Sequence, residues 1–160
     1  MTVYTRKLFT LAFIREGDKV LLGFKKRGFG QGRWNAFGGK VEPGETTEEG
    51  AIREVREEAG VEVVGGVEKV GELEFTFEGD TTLMHVIVYH ARGYTGTPTE
   101  SEEMKPQWFN VDNIPYTKMW PDDELWYPIY LRGGKFRGAF HFRGYDQILS
   151  QKLEEVQTLS

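Results

Sequence analysis

Residues 46–60 constrain the fold more than any other segment, because they carry the strongest helix signal in the chain and lie between strand-like segments. Thr46 and Glu49 have the spacing of a capping box, in which each side chain satisfies a backbone N–H of the first turn. Gly60 stands where a glycine commonly ends a helix. The apolar residues that share one helical face are Ala51, Ile52, Val55 and Ala59. We therefore expect an amphipathic helix that packs on a sheet.

The segments around this helix show the apolar patterns of β-strands. The predicted strands cover residues 3–14, 19–24, 67–77, 82–91, 107–111 and 135–142, with a short strand within 34–37. Residues 122–131 form a second predicted helix, and the tail 145–159 is expected to include a short third helix. The fold class is therefore α+β, with a mixed sheet in a layered arrangement, and residues 1–160 have the length of a single domain.

Composition excludes several kinds of function. The chain has no cysteine, which rules out disulfides, thiolate metal sites and cysteine nucleophiles. No apolar run reaches the ~20 residues of a membrane span. A net charge of −5 argues against binding to a nucleic-acid polymer, whereas a small phosphorylated substrate is compatible if cations lie between ligand and protein. We expect a cytoplasmic monomer that does not bind membranes; a minor mitochondrial or nuclear pool is left open.

Three glutamates of the helix share a face that differs from the apolar one. Glu54, Glu57 and Glu58 are spaced i, i+3 and i+4, so their carboxylates lie together. Like charges at this spacing destabilise a helix mildly, and a bound divalent cation would offset the repulsion. Mg²⁺, with Mn²⁺ as a substitute, prefers oxygen ligands and bridges carboxylates to substrate phosphates. For the glutamates alone, a solvated acidic face is the more common explanation.

A longer pattern around these glutamates changes that interpretation. It consists of a glycine, five residues, a glutamate, seven residues and then Arg-Glu-aliphatic-x-Glu-Glu-x-Gly-aliphatic. The chain matches it at Gly39, Glu45, Arg53, Glu54, Val55, Glu57, Glu58, Gly60 and Val61. This pattern is the Nudix box, and the chain resembles the Nudix hydrolase family. The resemblance implies an α/β/α sandwich with a mixed sheet, in which the box forms loop-helix-loop, and the hydrolysis of a nucleoside diphosphate linked to another group.

The resemblance also implies roles for the box residues. Glu54, Glu57 and Glu58 become catalytic residues and ligands of Mg²⁺, with Glu58 favoured as the base. The Gly38 carbonyl becomes a further ligand. The residues with a structural role in the box are Gly39, Glu45 and Arg53, and the last two would form a carboxylate–guanidinium pair.

Two residues outside this set have competing interpretations. Family members often supply one more metal-binding carboxylate from a distant loop, and the pair at residues 102–103 suggests Glu103 for this role. An exposed acidic pair in a polar loop explains Glu103 about as well. Lys40 follows the first box glycine and is expected to contact phosphate, with a surface lysine as the alternative.

Segments 25–30, 32–40 and 120–123 resemble the animal Nudix enzymes that hydrolyse oxidised purine nucleoside triphosphates. In such a pocket a tryptophan stacks on the purine face, while amide and carboxyl groups bind its polar edge. The residues that the resemblance assigns to substrate binding are Thr10, Lys25, Phe29, Asn35, Phe37, Gly38, Gly39, Lys40, Phe75, Met84, Trp120, Pro121, Asp122 and Asp123. From chemistry alone, Asp122 and Asp123 favour a helix cap; with the resemblance, we favour the pocket.

The expected activity is Mg²⁺-dependent hydrolysis of 8-oxo-dGTP and 2-hydroxy-dATP to the monophosphate and pyrophosphate, which sanitises the nucleotide pool. The alternatives are a Nudix enzyme for another nucleotide, such as an unmodified or methylated purine triphosphate or a dinucleoside polyphosphate, and a catalytically silent binding module. Ala36 and His85 depart from the animal enzymes, which have a glycine and an acidic residue there, so the preference among purines stays open.

Overall fold

The computed structural model describes residues 2–159 and contains eleven strands and two α-helices. The helices are α1 (Thr47–Ala59) and α2 (Asp123–Leu131), and a turn of 3-10 helix covers Tyr116–Lys118. The strands are β1 (Thr5–Glu16), β2 (Lys19–Lys25), β3 (Trp34–Asn35), β4 (Phe37–Lys40), β5 (Glu62–Val63), β6 (Val67–Phe77), β7 (Thr82–Ala91), β8 (Tyr94–Thr95), β9 (Met104–Asn110), β10 (Lys135–Arg143) and β11 (Gln147–Val156).

Nine of these strands form one mixed sheet. Its main path runs β11-β10-β6-β7-β1-β2-β3, while β4 pairs with β1 and β9 pairs with β2. The pairs β1–β7 and β6–β10 are parallel, and the other pairs in this sheet are antiparallel. One core cluster contains apolar residues of α1 and the other contains those of α2, so each helix contributes to a separate apolar core. The expected α+β class with a mixed sheet and a layer of helix on either side is confirmed.

Helix α1 begins and ends where its sequence predicts. Thr46 accepts a hydrogen bond from the Glu49 backbone N–H at 3.1 Å, and the Glu49 side chain accepts one from the Thr46 N–H at 2.8 Å. Gly60 ends the helix in the left-handed region with φ 72°. The face with Ala51, Val55 and Ala59 is buried, and this leaves the acidic face free for the site.

The tail differs from its prediction. The prediction of a short helix within 145–159 is wrong. This segment contains β11, which pairs along its length with β10 and is the outermost strand of the sheet. Only Ile148 and Leu153 of this strand pack against the core, so its sequence lacks a clear alternation. An edge strand takes its conformation from the backbone of its neighbour, which local sequence does not reveal.

Smaller differences concern the limits of other predicted strands. The segment 34–37 divides into β3 and β4, which pair with β2 and β1 respectively. Strand β9 begins at Met104, three residues before the predicted start at position 107.

Within residues 2–159, neither helix has the length or apolar character needed to cross a membrane.

Candidate active site

Glu58 is the most deeply buried carboxylate of the acidic helix face, with 3% of its surface exposed. Its Oε1 accepts a hydrogen bond from the Gly38 N–H at 2.9 Å, which connects α1 to β4. Glu54 lies against Gly39, where an added Cβ would come within 2.5 Å of the Glu54 Oε1. A side chain at position 39 would therefore displace the Glu54 carboxylate, whereas a Cβ at Gly38 would lie 1.8 Å from the Thr10 carbonyl oxygen, which the backbone fixes. Glu57 is more exposed, with 55% of its side chain accessible.

The electrostatics of this cluster favour added positive charge. Burial, and next the negative charge of Glu54, raises the pKa of Glu58 to about 8. Burial also raises the pKa of Glu54. Lys25, at the end of β2, provides a positive charge near this cluster, and its Nζ lies 3.9 Å from the Glu58 Oε2. Carboxylate and carbonyl oxygens are the ligands of hard divalent cations, so the donors at this site fit such a cation.

Arg53 organises the loop and the helix of the box. Its guanidinium donates to the two Glu45 oxygens at 2.7 and 3.0 Å and to the Lys40 carbonyl at 3.2 Å. It also donates to Glu54 at 3.0 Å and to Glu57 at 3.1 Å. The pKa of Glu45 is lowered to about 2, chiefly by the hydrogen bonds from Arg53. These contacts support structural roles for Glu45 and Arg53.

The carboxylates are close to one another but engaged with cationic side chains. Among residues 2–159, no three histidine or acidic side chains already have the arrangement of a metal site. Arg53 holds Glu54 and Glu57, while Lys25 and Arg27 hold Glu103 at 3.2 and 2.9 Å. The ligands would therefore have to turn from these partners towards a cation. The negative charge of Glu103 contributes to the raised pKa of Glu58, so the fold brings Glu103 near the box.

Replacing Arg53 with lysine should reduce kcat/KM about 10- to 100-fold, the usual effect of losing a group that orients metal ligands. Lysine keeps the charge but cannot reach Glu45, Glu54 and the Lys40 carbonyl together, because it lacks the planar fork of donors. Steady-state kinetics over a range of Mg²⁺ concentrations would measure the effect. Arg56→Lys, on the same helix but paired with Glu62, is the control and should stay within twofold. Equal losses in both variants would contradict the prediction.

A cavity of about 230 Å³ opens beside the box carboxylates. Gly38, Gly39 and Glu58 form part of its wall, so the cavity and the acidic cluster are one continuous site. Pockets for drug-sized ligands usually measure about 300–1,000 Å³, so this cavity suits one compact ring system rather than a whole nucleotide. The other predicted residues in its wall are Thr10, Lys25, Phe29, Asn35, Phe75, Met84, Trp120, Asp122 and Asp123.

The floor of the cavity presents polar atoms without partners. The Thr10 Oγ1 and the Asp123 Oδ2 are buried and have no hydrogen bond among the described residues. The Asn35 Oδ1 accepts from the Ala36 N–H at 2.8 Å and from the Tyr127 hydroxyl at 3.1 Å. Because the Ala36 N–H and the Tyr127 hydroxyl both donate to the Asn35 oxygen, the two amide N–H groups of Asn35 are left to donate to a ligand. Buried polar atoms without partners are costly, which indicates that a polar ligand completes this site.

Asp122 and Asp123 form a buried acidic pair, each with 2% of its surface exposed. The Trp126 Nε1 donates to the Asp122 Oδ2 at 2.7 Å, and Asp122 makes no side-chain capping bond to α2. Burial raises the pKa of Asp122 to about 6. The pKa of Asp123 is raised further by its burial, by the charge of Asp122 and by their mutual hydrogen bond. Two adjacent buried carboxyl groups resist joint ionisation, so the fold favours a protonated form of this pair, and the pKa of Asp123 is the more strongly raised of the two.

The comparisons with known proteins agree with this geometry. A sequence model of the NUDIX domain matches residues 5–129. The chain is a Nudix hydrolase. Members of this family generally use divalent metal cations, and the oxygen donors around Glu58 fit that use.

Two animal Nudix relatives are similar over nearly the whole chain. The oxidized purine nucleoside triphosphate hydrolase of Danio rerio is 50% identical over 157 residues, which cover 98% of this chain and 100% of the relative. The protein of the same name from Mus musculus is 52% identical over 154 residues, with 96% and 98% covered. A crystal structure of the Mutator MutT protein from Bacillus halodurans has a TM-score of 0.82 at 28% identity, covering 92% of this chain and 97% of that one. The predicted Nudix fold is confirmed.

Three residues predicted for the substrate pocket of this Nudix enzyme lie outside its wall. The Phe37 side chain is fully buried in the core cluster that contains α1, while its neighbours Ala36 and Gly38 line the cavity, and a substrate contact by Phe37 stays a prediction. The Lys40 side chain is exposed at the end of β4, and Pro121 is half-buried beside the cavity. A phosphate contact by Lys40 stays a prediction.

Several wall residues were not predicted from the sequence. They come from seven separate parts of the chain, and they are Phe9, Leu11, Gly30, Arg33, Ala36, Phe77, Val86, Met104, Trp126 and Phe142. Most are apolar residues of strands, and their spacing is the same whether they face the core or a cavity. Arg33 is the exception, because an arginine in a glycine-rich loop next to a predicted pocket is a signal that could have been used.

The acidic pair predicts a pH dependence of stability. Both aspartates have a folded pKa above the ordinary value of 3.8, so the stability they contribute is complete below that pH. It is lost as pH rises through about 6 for Asp122, and at higher pH for Asp123. Asp123→Asn should therefore lose less stability than the wild type between pH 5 and 8. Urea denaturation in metal-free buffer would measure this, and parallel pH curves for the two proteins would contradict it.

Proposed function

We propose that this Nudix enzyme hydrolyses oxidised purine nucleoside triphosphates, including 8-oxo-dGTP and 2-hydroxy-dATP, to the monophosphate and pyrophosphate, and so sanitises the nucleotide pool. The observation that carries the proposal is the buried pair Asp122–Asp123 at the floor of a base-sized cavity that opens onto the box carboxylates. The zebrafish and mouse relatives, whose names state this substrate class, support it over nearly the whole chain.

The pocket has the chemistry to bind the face and the edge of a purine. Trp120 offers an indole for stacking, and Phe75 and Met84 offer apolar contact. At the polar edge, Asn35 provides amide donors. A singly protonated Asp122–Asp123 pair provides a donor beside an acceptor, since two adjacent carboxylates resist joint ionisation. We propose that moving this proton between the two aspartates allows the pocket to accept both oxidised guanine and oxidised adenine.

The phosphates would extend from the cavity across Gly38 and Gly39 to the acidic helix face. The residues proposed to hold Mg²⁺, or Mn²⁺ in its place, are Glu54, Glu57, Glu58, Glu103 and the Gly38 carbonyl. Such a cation neutralises phosphate charge and lowers the pKa of a bound water.

Glu58 is proposed to accept a proton from the water that attacks the triphosphate, as the bond between the α- and β-phosphates breaks and pyrophosphate leaves. Burial raises the pKa of Glu58 in the metal-free protein, and a bound cation would lower it again, so that the carboxylate would be ionised and able to accept this proton. Lys25 lies between Glu58 and Glu103 and is proposed to turn towards the substrate once their charge is neutralised. Lys40, exposed at the end of β4, is proposed to contact phosphate.

A panel of normal, methylated and oxidised nucleoside triphosphates, with dinucleoside polyphosphates, would test the function by pyrophosphate and monophosphate release in Mg²⁺. We expect the highest kcat/KM on oxidised purines. A higher kcat/KM on an unmodified or methylated purine, or on a dinucleoside polyphosphate, would shift the function to that alternative. Binding without turnover of any member would favour a silent binding module. Ala36 in the cavity wall makes the order of the two oxidised purines a result to be measured.

We further propose that residues 1–160 act as a single-domain monomer in the cytoplasm. The main sheet runs continuously from β3 to β11, which supports one domain. The exposed edge of β11 carries Lys152, Glu154 and Glu155, and charged residues on an edge strand oppose pairing with a second copy. Light scattering would test the monomer, and cell fractionation would test the compartment. The absence of cysteine fits a reducing compartment.

A further inference from the structure

Tyr145 joins a cluster of aromatic rings at the mouth of the cavity. It lies in the turn between β10 and β11, and its ring centroid is 5.4 Å from that of Trp120 and 5.5 Å from that of Phe29. The distance to Phe77 is 5.8 Å. These three partners line the cavity, whereas Tyr145 packs behind them and is 54% exposed. Tyr145 therefore supports the rings of the pocket from outside.

Arg33 ties the Tyr145 turn to the loop between β2 and β3. Its Nη1 donates to the Tyr145 carbonyl at 2.9 Å, and its Nη2 pairs with Asp146. The guanidinium carbon also lies 4.4 Å from the centroid of the Trp120 ring, a cation–π distance. One side chain thus holds both the turn and the indole, and Arg33 itself is mostly buried at 19% side-chain exposure.

The backbone on both sides is shaped for this contact. Gly30 has φ 86°, and a Cβ on it would lie 3.3 Å from the Trp120 Nε1, so a side chain there would strain the backbone and crowd the indole. Strand β10 shifts register against β11 between His141 and Phe142. Such irregularities re-aim the residues that follow, and here the turn at Tyr145 reaches the cavity mouth.

We propose that Tyr145 is a positioning residue for base recognition: with Arg33, it holds the Trp120 and Phe29 rings in the arrangement that receives a purine. The proposal rests on the function proposed above and deepens it. Stacking on a ring that is already immobile costs less conformational entropy than stacking on a free one. Tyr145 does not approach the box carboxylates, so its effect belongs to binding rather than to the chemical step.

Kinetics of Tyr145→Ala with Mg²⁺ and 8-oxo-dGTP or 2-hydroxy-dATP test this proposal. Without the Tyr145 ring, Trp120 and Phe29 lose a contact that holds them in place, so KM should rise about tenfold while kcat stays within twofold. Tyr145→Phe should restore the wild-type KM, because the ring contacts remain and the tyrosine hydroxyl makes no hydrogen bond among residues 2–159. Tyr4→Ala, which removes another partly exposed tyrosine, is the matched control and should behave as wild type.

A second pair of measurements covers the case in which Tyr145→Ala does not fold. Arg33→Met should raise KM about fivefold, since it removes the guanidinium from Trp120 while keeping an apolar chain. Near-ultraviolet circular dichroism of the ligand-free proteins should show a tryptophan signal that Arg33→Met changes and Tyr145→Phe keeps. The change should require Trp120, so proteins that lack this tryptophan should not show it.

The outcomes separate this proposal from the proposed function. A wild-type KM in Tyr145→Ala, or a fall in kcat as large as the rise in KM, would overturn the positioning role. So would a Tyr145→Phe variant as impaired as Tyr145→Ala. A wild-type enzyme that hydrolyses no purine triphosphate would instead overturn the proposed function.

Discussion

Replacing Glu58 with glutamine is expected to lower kcat about 10²- to 10⁴-fold, the range attributed to general acid–base groups. Glutamine has nearly the same shape and can still accept the Gly38 N–H, but it cannot take a proton or offer a negative ligand. KM should change less than kcat, because the role proposed for Glu58 lies in the chemical step rather than in binding the base. Pyrophosphate release on the best oxidised purine would measure the loss.

The stability of this variant separates a catalytic loss from misfolding. In the metal-free protein, the buried Glu58 carboxylate has a raised pKa, so its ionisation opposes folding as pH rises towards about 8. Glutamine carries no charge to bury, and Glu58→Gln should therefore melt at or above the wild-type temperature in a chelator at pH 8. Mg²⁺ should raise the melting temperature of the wild type more than that of the variant. The control is Glu62→Gln, because Glu62 is an exposed glutamate that pairs with Arg56. An unchanged kcat in Glu58→Gln would refute the assigned role.

Replacing Asp123 with asparagine is expected to reduce kcat/KM about 10²-fold or more for at least one of the two oxidised purines. A site built to hydrogen-bond its substrate rejects a mismatched partner by at least this much, because buried polar atoms are left without partners. The Asp123 Oδ2 already lacks a partner among the described residues, and asparagine there cannot exchange a proton with Asp122. The ratio of kcat/KM for 8-oxo-dGTP to that for 2-hydroxy-dATP should therefore change.

Asp122→Asn tests the other half of the pair. It should alter the same ratio, and it also weakens the charge-assisted hydrogen bond from Trp126. Asp112→Asn, an exposed aspartate in the turn after β9, is the matched control and should leave the ratio unchanged. If Asp122→Asn and Asp123→Asn both keep the wild-type ranking of substrates, the shared proton has no part in selecting the base.

The accuracy of the sequence predictions follows the range of the interactions involved. The limits of α1 were predicted within a residue, because Thr46, Glu49 and Gly60 act on backbone groups a few positions away. Strand β11 was missed because its conformation depends on β10 across the sheet edge. The run from 37 to 40 does not by itself state which face of β4 lies towards the cavity, so the sequence could not place the Phe37 side chain. The outcome was decided by the pairing of β4 with β1 and by the helix beneath it.

The sequence alone, through its match to the Nudix box, predicted the reaction class of this enzyme. Glu54, Glu57 and Glu58 lie at helical spacing, so helix geometry brings their carboxylates to one face wherever the segment lies in the fold. Only the tertiary structure decided how the base pocket works. The burial of Asp122 and Asp123, their shared proton and the support of Trp120 by Arg33 and Tyr145 arise from contacts between segments far apart in the chain. A carboxyl group acquires its raised pKa from the solvent that surrounding elements exclude, and that exclusion exists only once the chain has folded.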